Sequence, residues 1–433
     1  MRLLQLSLAV CLGIPWASAQ SLPSGALDAS VLTLDQAIQI ALQDNRDLSF
    51  AGRELDKAAR EVEVARTNRY PQLGLSLLSP NLVTDLDFRL GPLGSLPLPR
   101  HFSFTSLTLA QPLSQLYDLG LGVKASELTR DAHSERLRAA RQSVVNQVKR
   151  GYYACLRAES GLKPSREALE LFREIERVVM SLFAERAALE SDLLDVQARR
   201  ARQEHDVLVL EDALATARER LNIALGRDAD TPFRVEPIPT TVPSEADLQD
   251  ARAQGLDRRP EVREARIRIE LARVDERLKR AEWWPRVNAA FAYVRNSNFP
   301  LLPPNIAVLS LQASFEPFDW GRKSKETANK QLVVLQAETA LRQLEASVKV
   351  DLNEKFRALR EASALTIATE LGERAAREKL RVMLDRHKEN AVLTKDLLQA
   401  QVALADADQK HQAGLIGYWE ARADFEKAMA EDR

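Results

Sequence analysis

The sequence predicts a mainly α-helical protein with a small antiparallel β part, in which one structural unit occurs twice. Three observations support this fold class: the composition, a duplication of landmarks, and long apolar seams. Of the 433 residues only 16 are glycine and 28% are charged, and Ala, Leu, Glu, Arg and Gln are common. Such a composition favours long helices whose charged faces contact water.

The duplication appears as pairs of landmarks at constant intervals. Tyr70-Pro71 in the first half of the chain corresponds to Trp284-Pro285 in the second. Asp192-Leu193-Leu194 recurs as Asp396-Leu397-Leu398, 204 residues later. We call this interval of 204 residues the hairpin offset. A repeat that fills the chain determines the architecture before any local motif is interpreted. We therefore divide the chain into a first unit (30–226), a linker (227–247) and a second unit (248–430).

Residues 1–19 have the pattern of a secretory signal peptide. Arg2 precedes an apolar stretch, and Ala17-Ser18-Ala19 is a small-residue cleavage site. The alternative is a buried N-terminal helix. Cys11 lies early in this segment after a bulky valine, so a lipid anchor there is not expected. Cleavage would leave Cys155 as the only cysteine, which permits no intramolecular disulfide.

Helical seams precede both predicted strand pairs. The helix predicted from Asp35 to Arg69 ends before Pro71, because a residue that precedes proline favours extended geometry. Its apolar residues are spaced by 4, 3, 4 and 3 positions, and the second unit repeats this spacing. This pattern indicates a coiled-coil seam, although an ordinary core helix gives similar stripes. The seam residues are Ala51, Leu55, Ala58, Val62 and Ala65, then Ile267, Leu271, Val274, Leu278 and Ala281.

Each unit then changes from a helical to an alternating period. Strands are predicted at 72–82 and 102–111, and again at 287–294 and 306–315, with irregular loops at 80–100 and 296–305 between them. Their length of about 9 to 11 residues suffices to cross a bilayer at a tilt. No stretch after the signal segment has the roughly 18 consecutive apolar residues of a membrane-spanning helix.

Aromatic residues crowd the bases of these strands. Aromatic rings favour the boundary between a membrane and water. The alternative is that they fill a soluble core. The residues concerned are Tyr70, Tyr117, Trp283, Trp284, Phe318 and Trp320.

The helices after the strands are of two lengths. Leu121–Arg186 and Arg322–Lys388 have about 66 residues each, or roughly 100 Å. Asp192–Gly226 and Asp396–Ala430 have about half that length, as do the helices before the strands. Two half-length helices stacked end to end would match one full-length helix. Pro164 interrupts the first long helix and should kink it.

These features together resemble the outer membrane efflux family, the TolC-like proteins, over residues 30–430. No single motif is strong, but the order, spacing and duplication are specific. The matching segments are Leu34 to Ile38, Asn45, the prolines at 71 and 285, Leu225-Gly226-Arg227, Arg259-Pro260-Glu261 and Pro317 to Arg322.

This resemblance implies an outer-membrane channel of a tripartite efflux or type I secretion system. A homotrimer would form one 12-stranded transmembrane β-barrel, embedded in outer-membrane lipid, and a helical tunnel across the periplasm. Export would be passive, driven by an inner-membrane pump that is joined to the channel by a periplasmic adaptor (membrane fusion) protein.

The resemblance also implies which residues lie at the periplasmic tip. Carboxylates after the hairpin turns would ring the aperture, and the turns would contact the adaptor. In the second unit Gln399 stands where relatives carry a second acid. The alternative is that the aspartates cap helix N-termini, and both roles can coexist. The aperture candidates are Asp396, Gln399, Asp192 and Asp195; the adaptor-contact candidates are Ala187, Ala188, Leu189, Asn390, Ala391 and Val392.

No enzyme, cofactor or metal site is predicted. The five histidines are scattered without metal-ligand spacing, and no phosphate loop or nucleophile motif occurs. The formal net charge of −1 gives no general attraction to nucleic acid. The remaining alternative function is a soluble periplasmic coiled-coil adaptor or scaffold without a membrane barrel, which would show β-rich domains flanking a single hairpin.

Overall fold

The structure, a computed structural model, describes residues 30–84, 87–89, 95–97, 99–239, 255, 257–299, 302–388 and 394–431. The predicted signal segment, including Cys11, lies outside these residues. The described helices are α1 (Leu34–Asp44), α2 (Arg46–Thr67), α3 (Leu116–Ala184), α4 (Glu190–Leu225), α5 (Pro260–Ala281), α6 (Arg322–Lys388) and α7 (Thr394–Ala428). The strands are β1 (Ser30–Leu32), β2 (Gln72–Leu78), β3 (Asp87–Arg89), β4 (Ser95–Pro97), β5 (Ser103–Pro112), β6 (Phe233–Val235), β7 (Arg286–Ser297) and β8 (Asn305–Ser314).

The predicted fold class is confirmed: long helices dominate, and the β part is small and mostly antiparallel. The 69 residues of α3 and the 67 of α6 make rods of about 104 and 100 Å. Helix α4 packs along α3 and α7 packs along α6, so each unit contains one antiparallel hairpin. Helices α2 and α5 pack beside the other ends of the two long helices.

The first helix is divided, contrary to the prediction of one continuous helix from Asp35 to Arg69. Thr33 caps α1, because its hydroxyl accepts a hydrogen bond from the Gln36 N–H while the Gln36 side chain accepts from the Thr33 N–H. Asn45 is extended (ψ 130°) and ends this helix. Its side chain starts α2 by accepting from the N–H groups of Asp47 and Leu48. By contrast, α3 continues through Pro164 without ending.

Four strands form one antiparallel sheet in the order β2-β5-β7-β8. Each hairpin of the sheet comes from one unit, and the two hairpins meet where β5 pairs with β7. The predicted loop at 80–100 is not wholly irregular, since β3 and β4 form a short hairpin within it. The sheet therefore has β2 at one edge and β8 at the other.

A second pairing joins the two ends of the first unit. Strand β1 pairs in parallel with β6, which lies inside the predicted linker. The Tyr152 hydroxyl accepts a hydrogen bond from the Glu236 N–H and lies 3.0 Å and 2.8 Å from the carbonyl oxygens of Leu32 and Glu236. Burial raises the pKa of Tyr152 to about 12, so the hydroxyl keeps its proton and donates to one of these carbonyls.

The main hydrophobic core lies under this pairing, at the middle of the molecule. It joins residues of α1, α3, α4 and α7, among them the fully buried Val148, Leu221 and Leu225. Cys155 belongs to this core, and burial raises the pKa of its thiol to about 12. It therefore packs as a small apolar residue. Within the described part of the chain, no helix combines the length and apolar character needed to cross a membrane.

Candidate functional site

The four-stranded sheet has one strongly apolar face. Cross-strand partners in an antiparallel sheet point to the same side. The register places four apolar residues in one row and four in the next. These rows are Leu73, Leu109, Phe291 and Leu309, followed by Leu75, Leu107, Tyr293 and Ala307. Within the described parts of one chain this face is left open, since the exposed fraction is 75% at Leu75 and 81% at Leu309.

The opposite face is small and polar over its lower half. Ser76 and Ser106 share a hydrogen bond of 2.6 Å across β2 and β5. At Gly74 an added Cβ would lie 2.9 Å from the Thr108 hydroxyl, so glycine leaves space for this side chain. The remaining residues of the face toward the helices are Gln72, Ala110, Asn288, Ala290, Ser310 and Gln312. Alternation thus gives the sheet one face of mostly large apolar residues and a second face that is small and polar toward the helices but carries Val294, Ile306 and Val308 on β7 and β8 farther away.

All six predicted boundary aromatics lie at one end of the sheet. The register puts the starts of β2 and β7 beside the ends of β5 and β8, at the side that leads into the helices. Every one of the six side chains is exposed, from 48% at Trp283 to 86% at Trp320. At the other end Phe102, Phe104 and Phe299 form a separate cluster with ring centroids 5.0–5.5 Å apart. Aromatic residues therefore flank the apolar face at both ends.

The segment Pro317 to Arg322 turns the chain from β8 into α6. Trp320 and Gly321 both have positive φ, 55° and 79°. The Asp319 carboxylate accepts hydrogen bonds from the Lys323 N–H at 2.8 Å and the Gly321 N–H at 3.1 Å, and the bond from Lys323 lowers the pKa of Asp319. The aspartate therefore stays ionised and caps the start of α6.

At the opposite end of the helices, the first hairpin turns at residues 185–189. Arg186, rather than a glycine, adopts the left-handed conformation with φ 61°. Ala187 and Leu189 are exposed and Ala188 is half-buried. The Asp192 carboxylate accepts a hydrogen bond from the Leu189 N–H at 3.2 Å. Asp192 therefore caps α4, as the alternative interpretation proposed.

The structure describes the remaining residues predicted at the tip only in part. Asp195 is exposed and pairs with Arg199 at 2.9 Å. Gln399 is exposed on α7. Asp396 is the third residue of α7, as Asp192 is of α4, and only its backbone is described. Asn390, Ala391 and Val392 lie outside the described residues.

Halfway along the molecule, a side chain links the start of the helix that precedes the sheet strands to the end of the half-length helix of the same unit. The linked helices are α2 and α4 in the first unit, and α5 and α7 in the second. The Asn45 side chain donates to the Ala224 carbonyl at 2.7 Å. In the second unit the Arg259 guanidinium donates to the Ala428 carbonyl at 2.8 Å and also pairs with Asp351. These links continue α4 into α2 and α7 into α5 from end to end. They also give a physical role to Asn45 and Arg259, which the sequence pattern marked without explaining.

Comparison with known proteins agrees with this architecture. Residues 37–227 match the family model described as outer membrane efflux protein. The probable outer membrane lipoprotein SilC of Salmonella typhimurium is 24% identical over 256 residues, which are 57% of this chain and 52% of SilC. Residues 37–227 of the chain are therefore similar to the outer membrane efflux proteins. The chain spans about half the length of this curated relative.

The fold of the chain also matches that of solved outer membrane channels along nearly its whole length. The outer membrane channel CmeC of Campylobacter jejuni superimposes with a TM-score of 0.76 at 16% identity, over 97% of this chain and 93% of CmeC. The outer membrane protein VceC of Vibrio cholerae gives 0.73 at 16% identity, over 92% and 96%. The matching family model and these similar proteins are all described as outer membrane proteins.

The sequence analysis missed one set of contacts between α6 and α7. His411 Nε2 lies 3.8 Å from a carboxylate oxygen of Glu373, and the Thr366 hydroxyl lies 3.2 Å from the Gly414 carbonyl, whereas the sequence analysis described the histidines only as scattered. A comparison of the two hairpins would have singled out these residues, because the hairpin offset aligns Thr366, Glu373 and His411 with Leu162, Leu169 and Val207 of the first hairpin. Among the described residues no group of three His, Cys, Asp or Glu side chains could hold a metal ion.

Proposed function

We propose that three copies of this chain form an export channel through the outer membrane. The observation that carries the proposal is the sheet: one face is apolar and exposed, and both edge strands have a partner on one side only. An unpaired strand edge in lipid would leave backbone N–H and C=O groups without hydrogen-bond partners. Closure with neighbouring copies supplies those partners.

Three chains with four strands each make a closed barrel with an even number of twelve strands. The apolar rows then face lipid, while the side with Ser76, Ser106 and Ser310 faces the lumen. The aromatic residues at the two ends of the sheet take the positions of the two membrane–water boundaries. Because β2 and β8 are the free edges, β8 of one copy pairs with β2 of the next.

The helices extend the conduit into the periplasm. Rods of about 100 Å reach far beyond the bilayer, whose hydrocarbon core is about 30 Å thick. Many leucine and valine side chains on the outer surfaces of α3, α4, α6 and α7 are exposed in one chain, and the exposed apolar residues include Val178, Ile367 and Leu371. Contacts with helices of the neighbouring copies cover such residues in a trimer.

The hairpin tips are proposed as the gate and docking end. Asp192 and Asp396 would bring six carboxylates near the three-fold axis, which favours cations at the aperture. Asp195 and Gln399 follow one turn later. The periplasmic adaptor, which joins the channel to an inner-membrane pump, would contact Ala187, Ala188, Leu189, Asn390, Ala391 and Val392. Opening is a small untwisting of these hairpins, and the channel itself catalyses no reaction.

Two lysine substitutions on neighbouring residues of β8 test the barrel. Leu309→Lys puts a charge on the apolar face, which should cost about 2–4 kcal/mol if that face contacts lipid. Ser310→Lys, on the opposite face, is the matched control. We expect Leu309→Lys to deplete the heat-sensitive trimer in outer-membrane fractions, while Ser310→Lys assembles and has altered conductance in planar bilayers.

The wild-type protein decides between the channel and the soluble adaptor. A channel resists extraction from outer membranes by salt or carbonate and needs detergent for release. Wild-type protein that washes out without detergent, with Leu309→Lys behaving like Ser310→Lys, would contradict the barrel.

A further inference from the structure

The sheet face that is small and polar toward the helices becomes apolar at its far end. Near the helices Ala290 pairs with Ser310, whereas two rows farther away Val294 pairs with Ile306. Side chains alternate along a strand, so Val294 and Ile306 point to the same side as Ser310. They therefore point away from the strongly apolar face that carries Leu309. The far end of the sheet thus has apolar residues on both faces.

Three phenylalanine rings meet at the same end of this second face. Phe104 precedes Ser106 on β5 by two positions, so both side chains point to one side. The ring centroid of Phe104 lies 5.5 Å from that of Phe102 and 5.3 Å from that of Phe299, while those of Phe102 and Phe299 are 5.0 Å apart. All three side chains are half-buried. Because Phe299 belongs to the second unit, the cluster joins the far ends of the two β-hairpins.

A buried amide fixes Phe299 in this position. Asn296 pairs with Phe104 in the sheet and is only 6% exposed. Its Oδ1 accepts a hydrogen bond from the Phe299 N–H at 3.1 Å. Its Nδ2 lies 3.2, 2.8 and 3.0 Å from the carbonyl oxygens of Phe299, Leu302 and Pro303. The backbone that follows β7 is therefore held against the face that carries Phe104, on the side opposite the strongly apolar face.

Lipid contact does not explain these apolar residues. In the proposed barrel the rows with Leu75 and Leu309 contact lipid, so the second face lines the interior. Interior-facing residues of a membrane barrel are ordinarily polar, because the lumen holds water. Apolar area left in water costs roughly 25 cal/mol per Å² relative to buried area. We call these residues the distal patch, and they are Leu78, Phe102, Phe104, Val294, Phe299 and Ile306.

The size of the barrel makes these side chains decisive for the width of the pore. Eight strands enclose an interior that side chains fill, whereas 16 to 18 strands leave an aqueous channel. Twelve strands lie between these limits. Gly74 and Ser76 leave the interior wide on the side of the helices. At the far end three rings from each of three copies, or nine phenylalanines, would surround the axis.

We propose that the distal patches of three copies form an apolar collar inside the outer end of the barrel, and that this collar restricts the passage of hydrated, charged solutes. An apolar constriction excludes such solutes because it offers no polar group to replace their water. The inference rests on the proposed function and adds a second barrier to the one at the hairpin tips.

Thiol labelling of whole cells tests the collar from its outer side. Ser310→Cys places a thiol on the lumen face between the collar and the helices. The native Cys155 is buried, and protein without the new thiol gives the background. The probe is a sulfonated dye maleimide too large for porins, so it reaches this thiol through the outer mouth. This route is independent of whether the tip is open.

Two variants of the Ser310→Cys protein remove the collar in different ways. Replacing Phe102, Phe104 and Phe299 by Ser should raise the labelling rate about five- to tenfold. Phe104→Tyr with Phe299→Tyr keeps the packed rings and adds hydroxyl groups, and it should raise the rate about two- to threefold. Phe318→Ser, which removes an exposed phenylalanine at the other end of the sheet, is the control and should leave the rate unchanged.

The heat-sensitive trimer, measured in the same outer-membrane fractions, separates the collar from the channel. With the trimer present, wild-type phenylalanines that give the same rate as the serine and tyrosine variants would overturn the collar and leave the channel standing. A rise for Phe318→Ser as large as for the collar variants would also overturn it. Absence of the trimer in the Ser310→Cys protein would contradict the channel itself, and the collar with it.

Discussion

In both units a side chain at the middle of the molecule links the ends of two stacked helices, but the residue type differs between the units. In the first unit a buried amide, Asn45, caps α2 and holds the end of α4 through the Ala224 carbonyl. In the second, Arg259 holds the end of α7 through the Ala428 carbonyl and receives its counter-charge from Asp351. The fold therefore requires a donor that joins two stacked helices, but it does not require one residue type.

The residues that end the half-length helices differ in the same way. Gly226 and Ala430 are equivalent by the hairpin offset, and both adopt the left-handed conformation, with φ of 80° and 58°. At Gly226 an added Cβ would lie 2.2 Å from the Asp44 carbonyl oxygen. Ala430 carries its Cβ and is buried. Glycine at 226 is thus required by close approach to α1, in addition to its φ.

The largest effect is expected from Gly226→Ala. The new Cβ would clash with the Asp44 carbonyl and strain the backbone, at a cost of about 2–4 kcal/mol. The reciprocal change, Ala430→Gly, relieves the φ penalty and should alter stability by less than about 1 kcal/mol. Thermal unfolding of detergent-solubilised protein by circular dichroism measures both. A loss of only about 1 kcal/mol for Gly226→Ala would show that the left-handed conformation alone, without the close contact to Asp44, sets its cost.

A smaller loss is expected from Asn45→Ala. This change removes the α2 cap and leaves the buried Ala224 carbonyl without its donor, for about 1–3 kcal/mol in total. Asn68→Ala is the control, because Asn68 is exposed at the other end of the same helix. The same unfolding experiment should show an unchanged midpoint for Asn68→Ala. A midpoint for Asn45→Ala within the error of wild type would mean that the cap and link contribute little.

The smallest effect on stability, and a distinct effect on function, is expected at the tips. Asp192 already has a capping partner, whereas Asp396 is proposed to line the aperture. Asp396→Ala should raise ion conductance or change cation selectivity in planar bilayers while leaving the unfolding midpoint nearly unchanged. Asp406→Ala, which removes an exposed partner of Lys410 on the same helix, is the control. Unchanged conductance and selectivity in Asp396→Ala would remove it from the gate.

Sequence alone predicts what is encoded in local periods. The long helices follow from extended apolar stripes, and the strand faces follow from alternation such as Leu73, Gly74 and Leu75. The segment Pro317 to Arg322 marked the turn after β8 in the sequence. The hydrogen bonds by which Asp319 caps the start of α6 are evident only from the structure. The hairpin offset, taken from the Asp-Leu-Leu motifs at the tips, holds through both hairpins.

What the sequence did not predict depends on contacts between distant segments. The pairing of β1 with β6 joins two very short strands, one before the first unit's helices and one after them, and such short runs have no recognisable period. The break at Asn45 was hidden because the apolar stripe continues on both sides of it. The proposed aperture would form between neighbouring copies of the chain, so it could not be predicted from residue spacing within one chain.

The most direct test is a cryo-electron microscopy structure of the full-length protein purified from outer membranes in detergent. The account predicts three copies around one axis, with β8 of each copy hydrogen-bonded to β2 of the next and Leu75 and Leu309 facing the detergent. A monomer, or an assembly in which these two edge strands stay unpaired and the leucines face a protein core, would contradict it.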